Sequence, residues 1–256
     1  MVSKFLRFST TLRYPILSMV YKLIARKKIK EFKGLAEGKT VLVVGNGPSL
    51  KKTPLEQFDC FSIGMNKINL LFESSNWRPN VIICNNGLVM KQNKNFFEST
   101  NISILLGIKA FILGIKSKNI FYFNESPKPE FSSKFQNYSG TAGTVTFTAL
   151  QFAYYLGAKK IIIVGVDHSF KGYDNKNVPI IEKFKGDDDN HFHPDYFKGQ
   201  KWGTPNLGLS EVGYSKAYEF LKKNGVEVFD ATVDGKLDIF PKISINEALK
   251  MIKKEI

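Results

Sequence analysis

Thr40–Leu50, TVLVVGNGPSL, is the stretch whose reading decides the fold. Val41–Val44 is an unbroken β-branched and aliphatic run, which suits a strand buried on both faces of a parallel sheet. The run stops at Gly45-Asn46-Gly47-Pro48-Ser49. Two glycines let the backbone turn sharply and approach a ligand closely. Pro48 keeps Gly47 extended and supplies no N–H, and Ser49 is placed to cap the segment after it. In open α/β sheets a Gly-rich turn at the carboxyl end of the first strand is where nucleotides bind. Position 50 is Leu, so this is not G-x-G-x-x-G, and no G-K-[ST] comes next to make a P-loop. Taken alone, the turn serves a ligand site and a plain tight connection equally well.

Working outward, Cys60–Gly64 reads as a second strand ending at Met65-Asn66, and Val81–Cys84 as a third ending at Asn85-Asn86-Gly87. Three successive strand ends therefore deliver Asn46, Asn66 and Asn85 to one edge of a parallel sheet. An Asn side chain both donates and accepts, which suits ribose hydroxyls and base edges, although Asn is also common in turns. Leu88–Ser99 reads as a helix, and Ile102–Leu106 and Ile120–Phe123 as strands. Lys109–Ile115 fits strand or helix, and Ser126–Asn137 a surface loop. Ser139–Thr144 opens a helix over Val145–Leu156 that Gly157 stops. The small residues Thr141, Ala142 and Gly143 at that start leave N–H groups and a positive dipole end for an anion, or simply cap the helix.

Lys160–Val166, which contains Gly165, is the clearest strand, and it ends in Asp167-His168-Ser169. Asp167 there suits ribose binding, orientation of a His, acid–base chemistry or a cap. Ser210–Asn224 is an amphipathic helix, Val226–Phe229 a last strand, and Ser244–Lys254 a helix with Ser244 and Glu247 in capping-box positions. The elements predict an α/β, Rossmann-like, mostly parallel sheet with helices on both faces. A lid of about residues 170–209 is inserted after the Asp167 strand, aperiodic but rich in aromatics such as Phe184, Phe192, Tyr196, Phe197 and Trp202. Within it, His191 and His193 flanked by Asp187, Asp188, Asp189 and Asp195 suit a divalent metal or a general base. The plainer reading is a solvated acidic turn with an aromatic anchor.

At 256 residues and 43% hydrophobic, the chain supports one core. The division expected is a basic amphipathic segment, 1–38, and a Rossmann-like domain, 39–256. Cys60 and Cys84 lie in apolar runs and read as reduced core residues of a cytoplasmic protein. Three histidines without Cys pairs do not make a structural zinc site. Of the net charge of +14, residues 1–39 carry +8, from ten Lys and Arg against Glu31 and Glu37. Tyr14–Ala25 is broken by Lys22, is too short to span a bilayer and lacks a signal-peptide cleavage site. It suits either an interfacial helix on an anionic membrane surface or a helix packed on the domain with a solvated basic face. No stacking motif accompanies the charge, so nucleic acid is not an expected partner.

GNGPSL at 45–50, Asn66, Asn85, Thr141-Ala142-Gly143 and IIIVGVD at 161–167, in that order, resemble the bacterial CMP-sialic-acid-dependent sialyltransferases. They also resemble the related 6-hydroxymethylpterin diphosphokinase MptE-like family, many of whose members lie among surface-polysaccharide genes. Length and the DATVDGKLDIFPKI stretch look closer to the MptE-like group. The sialyltransferase resemblance implies nucleotide contacts at Asn46, Ser49, Asn66, Asn85, Thr141 and Ala142, with Gly165 and Asp167 lining the cleft. It places Leu209 where that family has its catalytic His, and Ser169 and Tyr173 near its phosphate-contacting tyrosines.

The leading expectation is therefore a transferase of bacterial surface glycans, lipopolysaccharide included, peripheral at the inner membrane. Its donor is a nucleotide-activated sugar, CMP-linked in the sialyltransferase-like case, its acceptor a glycan or lipid-linked acceptor, and it requires no cofactor. Its catalytic candidates are His191, His193 and Asp167, with Lys183, Lys185, Lys198 and Lys201 available to the leaving phosphate. Its nucleotide site is Gly45, Asn46, Gly47, Ser49, Asn66, Asn85, Thr141, Ala142, Gly143 and Gly165, with no metal ligand. The alternatives are an ATP-dependent pyrophosphokinase using Mg²⁺ on Asp167, Asp187 and Asp189, and a non-catalytic nucleotide-binding protein. Homo-oligomerisation is left open.

Overall fold

The computed structural model describes residues 10–171 and 180–253. Lys4 and Arg7 of the basic segment and Tyr173 of the lid lie outside the described residues. Seven strands make one sheet: β1 (Thr40–Val44), β2 (Phe61–Met65), β3 (Val81–Cys84), β4 (Ser103–Gly107), β5 (Ile120–Phe123), β6 (Lys160–Val164) and β7 (Glu227–Asp230). Every neighbouring pair is parallel, in the order β7-β6-β1-β2-β3-β4-β5. The chain winds outward from β1 to β5, then returns to lay β6 on the other side of β1, pairing Val41 with Ile161. That reversal opens a crevice between the carboxyl ends of β1 and β6, the switch point where open α/β sheets bind ligands.

Four longer helices accompany the sheet: α1 (Thr10–Ile24), α2 (Val145–Tyr155), α3 (Leu207–Lys223) and α4 (Ile245–Lys253). Side chains alternate across the sheet, so Val41, Val43, Ile161 and Ile163 pack with Phe147 and Phe152 of α2 and Ala217 and Leu221 of α3. Leu42, Val44, Ile162 and Val164 face the opposite layer, with Leu50, Phe97, the lid aromatics and Ile252 of α4. Both faces are covered, which is why β1 reads as a continuous apolar run and is buried along its whole length.

Several local departures have direct causes. The helix expected over Leu88–Ser99 is two, Gly87–Gln92 and Lys94–Ser99, parted at Asn93, whose side-chain amide donates to Asn69 at 2.7 Å. β6 ends at Val164 because Gly165 turns the chain with φ +70. α3 begins at Leu207 because the Asn206 side chain accepts from the Leu209 N–H at 3.0 Å. The stretch Lys109–Ile112 is helical. Residues Glu125–Ser126 and Ser139–Gly140 pair as a short parallel ladder, where a loop was expected at Ser126 and a helix start at Ser139. In the capping box of α4, Ser244 N–H donates to Glu247 at 2.7 Å and Glu247 N–H to Ser244 Oγ at 3.2 Å. No helix among the described residues is long and apolar enough to cross a membrane.

The inserted segment folds back on the sheet. Ile181–Lys183 pairs antiparallel with Lys201–Gly203, and between them Phe192, Tyr196 and Phe197 are buried, together with Trp202. Lys67, just past β2, is buried under this lid. Its ammonium donates to Tyr196 O and to Gln200 Oε1, each at 2.6 Å, and stands 4.6 Å from the Phe197 ring centre.

Candidate functional site

A cleft of about 150 Å³ opens at the switch point. Its floor is built by the turns at the ends of β1, β2 and β6. Gly45 N–H donates to Val164 O and Gly47 N–H to Gly165 O, each at 2.8 Å, so the two strand ends are stitched together. A Cβ on Gly45 would overlap the Gly165 carbonyl, and one on Gly47 would overlap the Asp167 carboxylate. Only glycine permits this approach. Asn66 takes φ +52, a conformation Asn tolerates better than most residues. Its Oδ1 and that of Asn46 are buried without a hydrogen-bond partner among the described residues, and both residues line the cleft. Two buried acceptors left unpaired cost free energy until a donor reaches them, and hydroxyls or an exocyclic amine of a ligand are suitable donors.

Asp167 joins floor to wall. Its carboxylate accepts from Ser49 N–H at 3.0 Å and Ser49 Oγ at 2.6 Å. Burial pushes its pKa up, and the two Ser49 bonds only partly oppose that. The side wall comes from the start of α2. Thr144 caps that helix, accepting from Thr146 N–H at 3.2 Å, and its hydroxyl meets Tyr214 Oη on α3 at 3.2 Å.

Two histidines line the same cleft, and each faces a carboxylate. His168 is next to Asp167 in the chain, and its Nε2 lies 3.0 Å from Glu211 Oε1 on α3. From the lid, His191 places Nδ1 2.9 Å from Asp188 Oδ2, whose side chain is fully buried. A carboxylate only accepts, so the histidine nitrogen facing it carries the proton. In the neutral imidazole that tautomer leaves His168 Nδ1 and His191 Nε2 as the acceptor atoms. His191 also stacks flat on Tyr196, with ring centres 4.0 Å apart and an interplanar angle of 3°. Lid and floor are tied directly, since Phe192 N–H donates to Asn46 O at 2.9 Å, while Lys171 N–H donates to Asn190 Oδ1 at 2.7 Å within the lid.

Of the residues expected from sequence, Gly45, Asn46, Gly47, Asn66, Gly143, Gly165, Asp167 and His191 line this cleft. The others lie elsewhere. Ser49 sits beneath it against Asp167, and Asn85 donates to Thr148 Oγ1 at 3.2 Å. The Thr141 hydroxyl donates to Ser126 O at 2.9 Å, and Ala142 is fully buried. His193 turns back to its own loop, its Nδ1 accepting from Asp195 N–H at 3.2 Å. Leu209 is partly exposed beside Gly143, while Leu207 and Ser210 line the cleft. Asp187 pairs with Lys198 at 2.8 Å and Asp189 with Lys171 at 2.9 Å, both at the surface. None of Lys183, Lys185, Lys198 and Lys201 lines the cleft. Sequence reasoning passed over His168, Glu211, Thr144, Thr146, Ser210 and Tyr214. The adjacency of His168 to the Asp167 strand end was the available signal.

The 6-hydroxymethylpterin diphosphokinase MptE-like family matches residues 16–172, which is more than half of the sequence. The chain belongs to that family. The matched span of this MptE-like protein includes the whole floor of the cleft but stops before His191 and α3. Among curated proteins, none matches it. Solved structures with a similar outline include the sialyltransferase CST-II in complex with a trisaccharide acceptor and CMP. It is 16% identical with a TM-score of 0.44, over 80% of this chain and 86% of that one. The sialyltransferase CstII from Campylobacter jejuni with CMP-3FNeuAc is 14% identical, with a TM-score of 0.44 over 80% and 86% of the two chains. A mammalian sialyltransferase with Gal-beta-1-3GalNAc-ortho-nitrophenol is 15% identical, with a TM-score of 0.40 over 78% and 70%.

Proposed function

We propose that this MptE-like protein is a nucleotide-dependent transferase, and that it moves a sugar from a nucleotide-activated donor of CMP type to an acceptor hydroxyl in surface-glycan synthesis. The observation that carries the reading is the chemistry of the cleft lining. It offers two carboxylate-oriented histidines, two unpaired Asn acceptors and a hydroxyl-capped helix start. The described lining residues include no lysine or arginine. One phosphate group is within reach of backbone N–H groups and a helix start, whereas a triphosphate calls for several cations. In the transfer, one histidine takes the acceptor hydroxyl proton and the acceptor oxygen bonds to the anomeric carbon. The bond from that carbon to the phosphate oxygen breaks, and the nucleotide leaves with the electron pair.

The family match favours a second reading, diphosphate transfer from ATP to a pterin alcohol. That reaction normally uses Mg²⁺ held by carboxylates and substrate phosphates. Asp167 is the single carboxylate among the described lining residues, and both its oxygens already accept from Ser49. On this reading Asp167 would hold the magnesium together with substrate phosphates and water, and would have to loosen its bonds to Ser49 to do so.

Thermal unfolding with CMP, CDP, UDP, GDP and ATP, each with and without Mg²⁺, separates the two, because a ligand of the native state raises the midpoint by mass action. The sugar-transfer reading expects stabilisation by CMP without metal. Stabilisation by ATP with Mg²⁺ alone replaces it with the diphosphokinase. With a hydrolysable CMP-sugar, replacement of the basic histidine (His168→Ala or His191→Ala) is expected to cut turnover by about 10²–10⁴-fold and leave the CMP shift in place.

A further inference from the structure

We infer that the outer face of α1 is a docking surface for an anionic lipid bilayer. The helix has two apolar sides. Tyr21, with Ala25 and Ile29 beyond its end, recurs every four residues and is buried against the domain. Ile16, Met19 and Leu23, spaced i, i+3 and i+7, form a second stripe facing away from it, and they are 54%, 58% and 77% exposed. Ile24 beside them is 44% exposed. A helix that packs one side on its own core and leaves a second apolar stripe bare has that stripe free for a partner.

Charge names the partner. Lys22, Arg26, Lys27, Lys28, Lys30 and Lys33 are all exposed on and just after the helix, against Glu31. Apolar side chains set among exposed cations match the boundary between acyl chains and anionic headgroups. A second copy of the chain would bring the same cations face to face, an arrangement that repels.

The surface is held rigidly. Tyr21 Oη donates to Gln136 O at 2.7 Å, Arg26 donates to Asn137 Oδ1 at 2.7 Å, and Asn124 Nδ2 donates to Ser18 Oγ at 3.2 Å. Asn124 comes immediately after β5, the edge strand, so the helix is anchored at that edge of the sheet.

The test is flotation of the full chain with phosphatidylcholine vesicles, with and without about 30% phosphatidylglycerol. The chain is expected to float with the anionic vesicles at low salt, to be released by high salt, and to stay down with phosphatidylcholine alone. Met19→Asp with Leu23→Asp is expected to abolish flotation. Lys27→Glu, Lys28→Glu and Lys30→Glu together are expected to weaken partitioning by roughly a hundredfold, with the Lys→Arg counterparts floating normally. All these side chains are exposed, so the unfolding midpoint and the nucleotide shift are expected to stay at wild-type values. Failure of the nucleotide site therefore registers separately from failure of the surface. Absence of flotation overturns the inference, as does flotation indifferent to both sets of substitutions. A concentration-dependent dimer in sedimentation that Met19→Asp with Leu23→Asp dissolves also overturns it, giving the stripe to a second copy.

Discussion

The floor of the cleft and its lid are held by different kinds of force. The floor is backbone against backbone: Gly45 and Gly47 bond across to β6 and Gly165, and no side chain fits between the two turns. The lid is held mainly by side chains, with Lys67 on Tyr196 and Gln200 and a nest of aromatic rings, and by one backbone bond from Phe192 N–H to Asn46 O. Steric fit fails abruptly and takes the sheet with it. Side-chain anchoring fails locally and by degrees. At about 150 Å³ the cleft is smaller than the roughly 300 Å³ usual at the small end for ligand pockets.

The largest effect tests the floor. Gly45→Val pushes a branched side chain into the Gly165 carbonyl, and is expected to cost about 3 kcal/mol in urea unfolding and to remove nucleotide stabilisation. Normal stability in that variant would break the contrast, since the floor would then be as forgiving as the lid.

Next comes the lid anchor. Lys67→Met leaves the Tyr196 carbonyl and the Gln200 amide oxygen without their donor, a loss of about 2 kcal/mol expected to appear as local release. Limited proteolysis should cut within residues 181–203 while the global midpoint barely moves. A global drop of the same size would mean the lid and sheet unfold as one.

A pH profile sharpens the same point. Burial lowers the Lys67 pKa from 10.5 to about 8. Between those values the closed lid binds fewer protons than the released one, so closure strengthens as pH rises through that window and is weakest below it. Hydrogen exchange of the lid amides, corrected for the intrinsic rate, should slow accordingly in the wild type and lose this dependence in Lys67→Met. A flat wild-type profile would remove Lys67 as the anchor.

The smallest effect returns to the cleft wall. Thr144→Ala deletes the cap of α2 and is expected to cost about 1 kcal/mol, with a weaker nucleotide shift if the helix start meets phosphate.

The same contrast explains what the sequence revealed. Buried parallel strands announce themselves as short aliphatic runs, so Ile120–Phe123 has the extent read from sequence and β1 lies within the stretch that decided the fold. The floor was legible because Gly45, Gly47 and Asn66 are local consequences of a strand ending. The extent of Leu88–Ser99 was not, because the break at Asn93 depends on Asn69, a residue from another loop. His168 with Glu211 was hidden for the same reason: the two lie 43 positions apart, across the whole lid, and only the fold brings them within hydrogen-bond reach. Asn85 shows the reverse case. Its place at a strand end matched Asn46 and Asn66, yet a neighbour on α2, Thr148, takes its amide.

The bond from Phe192 N–H to Asn46 O has a practical meaning. It joins a lid amide to the same residue whose side-chain Oδ1 has no hydrogen-bond partner among the described residues. A ligand that shifts the Asn46 backbone is expected to strain that link, which would couple cleft occupancy to the lid. The Phe192 amide hydrogen is then a built-in gauge: slower exchange on adding nucleotide is the expected sign of that coupling, with no substrate turnover needed to read it.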